Sequence, residues 1–113
     1  MDELLEIAQF IKDFERSDSI GEMERQRDRA IGYAQRIGEL LDQAEHDYTI
    51  FYGEKLDELS SSEDETETTR KAKLNMWTAD KLLIVKKLRT LKHNLRTITM
   101  ACMQSIKTKR ETP

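Results

Sequence analysis

The chain has 113 residues, of which 36% are charged, 37% hydrophobic and 6% aromatic, with a formal net charge of −3. That composition excludes a thick globular core, and it leaves thin apolar seams between long helices as the way to fold. The longest strongly apolar run, Leu82-Leu83-Ile84-Val85, is far short of the ~18 residues of a membrane span. A lone cysteine, Cys102, excludes an internal disulfide, and without a leader-like apolar segment the chain reads as a cytoplasmic, non-membrane protein.

The only proline is Pro113, so nothing forces a helix to break. Asp2 precedes Leu4, Leu5, Ile7, Ala8, Ile11 and Phe14, which predicts a short amphipathic helix over 2–16. After the polar run Ser17-Asp18-Ser19, Ser19 and Glu22 have the spacing of a capping box. A long helix over 19–59 is predicted from there. Its stripe is Ile20, Met23, Arg27, Ala30, Ala34, Ile37, Leu41, Ala44, Tyr48 and Phe51, in which Arg27 is the one polar member. Spacings of three and four sustained this far are a coiled-coil pattern. Gly32 and Gly38 lie off the stripe and each costs about 1 kcal/mol of helix propensity. Close approach of a neighbouring helix explains them better than a hinge, and Gly53 marks a candidate local break.

The clear turn is at 60–65, Ser-Ser-Ser-Glu-Asp-Glu, where Ser62 and Glu65 repeat the capping-box spacing. A third helix is predicted over 63–110. Within it Trp77, Ile84, Leu88, Leu91, Leu95, Ile98 and Cys102 form one stripe that passes over Lys81. Two long helices joined by a short turn pack antiparallel. The expected architecture is therefore all-α: one domain with a short N-terminal helix and a long antiparallel helical hairpin, assembling as a homo-oligomer.

Charge is segregated along this architecture. From Arg70 onward there are twelve Lys and Arg against two carboxylates, whereas the preceding 69 residues hold seven against twenty. At about 100° per residue, Lys86, Arg89, His93 and Arg96 point away from the apolar stripe, with Lys92 beside them. A basic helix face is the electrostatic footprint of phosphate binding. The same cations have a second use, pairing with Glu39, Asp42, Glu45, Asp47, Glu54, Asp57 or Glu58 of the preceding helix. Both uses stay open at this point.

Apolar residues exceed what one seam can cover. Met76, Trp77, Leu82, Leu83 and Val85 surround the third helix, and Met100 and Met103 lie on its back face. Buried all round, such a collar implies contact between subunits. Tyr52 and Trp77 are the aromatic candidates for stacking on a base, although Trp77 on the stripe reads first as core.

Catalytic patterns are missing. There is no Gly-rich phosphate loop, and His46 and His93 lie on different predicted helices without metal-ligand spacing. Glu39, Asp42 and Glu45 read as a solvated face, and Cys102 on the stripe reads as a buried small hydrophobe. The chain is expected to be no enzyme and to need no cofactor or metal.

With these features placed, the chain resembles the phage recombination-mediator family, the UvsY-type proteins. Thr78-Ala79-Asp80-Lys81 is similar to a Ser/Thr-Ala-Asp-Lys run that opens the family's last apolar helix segment. Phe51-Tyr52-Gly53 resembles the aromatic pair and Gly that end its central helix. Tyr33-Ala34-Gln35-Arg36 and Ser105-Ile106-Lys107 fall in matching order, so the resemblance spans roughly residues 25 to 107. It implies a ring-like homo-oligomer that binds single-stranded DNA and helps load a recombinase in place of the single-strand DNA-binding protein. One departure stands out. Where the family has a basic-aliphatic DNA-contacting stretch, this chain has Gln43-Ala44-Glu45-His46-Asp47, so no DNA-contacting residue is carried over. The expected function is that of a recombination mediator, with Lys86, Arg89, Lys92, His93 and Arg96 as nucleic-acid contacts. The alternative is a coiled-coil adaptor or assembly protein that binds proteins and no nucleic acid.

Overall fold

The computed structural model describes residues 2–60 and 66–111. They form three helices, α1 (Asp2–Asp13), α2 (Ile20–Ser60) and α3 (Glu67–Glu111), with no strand among the described residues. The chain is all-α, and α2 and α3 pack as a helical hairpin. The packing divides it into two compact units, one of Met1–Gly38 with Thr90–Pro113 and the other of Glu39–Arg89.

In the first unit α1 lies antiparallel to the start of α2. Glu3 accepts from Arg36 at 2.7 Å, Glu6 from Tyr33 at 3.2 Å, and Phe10 meets the Tyr33 ring edge-on with centroids 5.2 Å apart. Ile7, Phe10, Met23, Ala30, Ile37, Leu95, Ile98, Cys102 and Ile106 form the core. Each fully buried large aliphatic side chain contributes about 1.5–3 kcal/mol by leaving water. The α2 stripe expected from the sequence is the buried or half-buried side of the helix throughout, Arg27 included.

α1 is shorter than expected, ending at Asp13 rather than Arg16. Side-chain bonds flank that end, and in the link that follows a serine hydroxyl engages the backbone. The Gln9 amide donates to both Asp13 carboxylate oxygens at 2.9 and 2.8 Å, and Ser17 Oγ accepts the Ser19 N–H at 3.1 Å. Ser19 caps α2 by accepting the Glu22 N–H at 3.2 Å. The capping box is only half made, because the Glu22 carboxylate turns to Arg25 at 2.7 Å and to Gln26 at 3.3 Å. The Arg25 hydrogen bond holds the Glu22 carboxyl below its ordinary range. From the far end of the chain, Lys109 donates to the Asp18 carbonyl, and Arg110 pairs with Glu24 at 3.2 Å.

The second unit is an antiparallel pair: Glu45 of α2 meets Arg89 of α3, and Lys55, further along α2, meets Trp77, further back along α3. Its core is thin, consisting of Leu41, Leu59, Leu74, Thr78, Val85 and Leu88. The seam on α3 differs from the expected stripe before Leu88. Trp77 is 37% and Ile84 54% exposed, while Leu74, Thr78 and Val85 take the buried positions. Thr78 tolerates burial because its hydroxyl donates to the Leu74 carbonyl one turn back at 2.8 Å.

Two further expectations change. α2 runs through Gly53 without a break, and a Cβ added at Gly32, Gly38 or Gly53 would meet nothing within 4 Å. Close helix approach therefore does not account for these glycines. α3 starts at Glu67, where Thr66 Oγ1 accepts the Thr69 N–H at 3.2 Å. The expected cap of Ser62 and Glu65, and the turn between Ser60 and that cap, lie outside the described residues.

Candidate nucleic-acid interface

The basic face belongs to α3, and all five of its expected residues are exposed. Lys86 and Arg89 lie in the second unit, Lys92, His93 and Arg96 in the first. Arg89 reaches across the hairpin to Glu45, with Nη2 3.3 Å from Oε1. Both side chains are about half exposed, so the pair contributes roughly 0–1 kcal/mol. In the first unit, Lys92 and Arg96 have no carboxylate partner among the described residues.

Arg27 and Lys107 add to the positive charge of the first unit. They line an open depression of about 380 Å³ whose apolar wall is Met103 and Ile106. A second depression, about 430 Å³ beside Phe10 and Phe14, is lined by carboxylates already engaged within the chain, Asp13 by Gln9 and Glu22 by Arg25.

The expected collar is sorted by the fold. Met76 is 68% exposed, Leu83, Met100 and Met103 are about half exposed or more, and Leu82 is half-buried. Val85 belongs to the seam instead, at 1% exposure, because its side chain points at α2 and closes the thin core of the hairpin. It has no surface left to offer a second subunit.

Trp77 sits in a cluster that sequence reading did not assemble. Lys55 Nζ lies 5.5 Å from the Trp77 ring centre and 5.4 Å from that of Phe51, and Lys81 Nζ lies 5.1 Å from that of Phe51. Tyr48 and Tyr52 stack at a tilt beside them, centroids 5.9 Å apart. The legible signal was the lysine four residues after each ring, Lys55 after Phe51 and Lys81 after Trp77, since that spacing places two side chains on one helix face.

No group of three or more His, Cys, Asp or Glu able to hold a metal occurs among the described residues. None of the helices there is long and apolar enough to cross a membrane. Cys102 is fully buried, and burial pushes its thiol above the usual range despite Arg27 and Arg16 nearby. Compared with protein-family models, with curated proteins and with solved structures, the chain has no match.

Proposed function

We propose that this chain is a non-enzymatic accessory protein of phage-type DNA recombination, a mediator that binds single-stranded DNA and helps load a recombinase. The observation that carries the reading is the exposed run of cations on α3, of which Lys92 and Arg96 face solvent without a carboxylate partner among the described residues. Exposed, unneutralised cations on a helix face are available to phosphate. Self-assembly is part of the proposal, supported by the exposed Met76, Leu83, Met100 and Met103, large apolar side chains that a second subunit would cover. The test is single-strand binding measured against salt. Affinity falls with a slope of about −0.7 per phosphate contact, and light scattering at micromolar concentration gives a mass well above the 13.3 kDa of one chain. No binding at ~50 mM salt overturns the reading, since non-specific affinity is strongest there.

The Arg89–Glu45 pair favours a second reading, an adaptor whose charges fix helix pairing and whose partners are proteins. The two separate on reversal of Arg89 and Arg96 to Glu. Losing the Arg89–Glu45 pair lowers thermal stability in either case, but a mediator loses strand affinity for all sequences alike, whereas an adaptor binds no strand before or after.

A further inference from the structure

We propose that the aromatic–lysine cluster of the second unit is a docking site for single-stranded nucleic acid. A base stacks on the exposed part of Trp77, and phosphates on either side meet the ammonium groups of Lys55 and Lys81. The proposal rests on the single-strand reading above and assigns it a site apart from the cations of the basic face.

The first observation is the indole itself. A tryptophan is the side chain a thin core would most gain from burying, yet Trp77 is left 37% exposed while the smaller Thr78 and Val85 are enclosed. An exposed indole offers any base a flat apolar surface, and stacking of this kind tolerates every sequence.

The second is where the cations stand. Lys81 follows Trp77 by four residues on α3, which places its charge about 6 Å further along the helix on the same side as the indole. Lys55 reaches over from α2 to the same ring while its ammonium also pairs with Glu58 at 3.3 Å. Lys81 is therefore the cation of the cluster left for phosphate, and Lys55 meets it only by sharing with that carboxylate. Lys81 rests on the face of Phe51 and has no carboxylate partner among the described residues. Aromatic faces hold an ammonium in position without neutralising it. The α3 portion of this unit, residues 67–89, carries seven Lys and Arg against Glu67 and Asp80.

Charge also decides against a second copy as the occupant. Covering this face with an identical apolar face would bury Lys55 and Lys81 without a counter-ion for Lys81, and unpaired buried charge is strongly disfavoured. A phosphodiester strand supplies both the counter-ion and the ring.

The chain has one tryptophan, so its fluorescence reports on this site alone. Titration of the unaltered protein with an oligothymidylate at ~50 mM salt gives a saturable quench that salt reverses. Anisotropy of a labelled oligonucleotide, read in parallel, shows about five- to hundredfold weaker binding for Trp77→Ala, as expected for one stacked base. Trp77→Phe, which keeps a ring, retains most of the affinity, and Lys81→Gln lowers the salt slope by about 0.7. Circular dichroism identifies a misfolded Trp77→Ala, in which case the quench and the Trp77→Phe comparison decide. Strand binding with unchanged Trp77 emission overturns this site and leaves the mediator reading standing. Absence of strand binding overturns both. A blue shift of Trp77 emission with protein concentration alone shows a second copy on this face and overturns the site.

Discussion

Arg89 brings two nitrogens of its guanidinium, Nε at 3.4 Å and Nη2 at 3.3 Å, to a single oxygen of Glu45 on the opposing helix. The acidic segment that replaces the basic-aliphatic stretch expected from the family resemblance thus has an occupation inside the chain. Its Glu45 steadies the hairpin rather than meeting phosphate. Because both side chains are about half exposed, the pair orients more than it stabilises. A double-mutant cycle on Arg89→Ala and Glu45→Ala should give a coupling of about 0.2–1 kcal/mol that fades as salt rises. A coupling of several kcal/mol would mean that the pair is buried in solution.

Seam register in the second unit is testable at two neighbouring positions. Val85→Ala should cost on the order of 2 kcal/mol, because it opens a cavity in a small core. Ile84→Ala should change unfolding free energy by no more than about 0.5 kcal/mol in the isolated chain. Denaturant melts of both variants, with unchanged m-values, check the assignment; the opposite order would restore the stripe through Trp77 and Ile84.

Helix starts rest on single hydroxyls. Ser19→Ala and Thr66→Ala should each destabilise by about 1 kcal/mol. Thermal melts followed by circular dichroism check both; an unchanged melt for Thr66→Ala would mean that its hydroxyl does not cap α3.

Cys102 should react with a thiol reagent only as the first unit opens. Its sulfur is fully enclosed, and burial disfavours the thiolate that does the chemistry. The folded thiol holds its proton to higher pH than the unfolded one. Its contribution is therefore complete at neutral pH and declines as pH rises past the ordinary thiol range. Labelling rates that follow the opening equilibrium through sub-denaturing urea would bear this out. Fast stoichiometric labelling of the native chain would refute it.

The long helices and the α2 face were legible from the residues alone. From Ile20 to Phe51 the three-four spacing has no competing apolar face, so one periodicity names the buried side, and Leu88 to Cys102 on α3 behave likewise. The exposure of Lys86, Arg89, Lys92, His93 and Arg96 followed from the same angle of rotation per residue. Around Met76 to Val85 that logic fails, because apolar residues surround the helix and several faces satisfy the pattern equally. Only the opposing helix could choose. Lys81 takes a half-buried place where Phe51 offers its ammonium a ring, and Thr78 is enclosed because the Leu74 carbonyl one turn back accepts its hydroxyl. In the same seam Val85 is turned inward, and Ile84 and Trp77 are left outside. Periodicity thus determined the helices and, wherever a single apolar face existed, the side each one buries. Tertiary contact decided the rest, since whether a polar side chain can enter a seam depends on the partner that receives it.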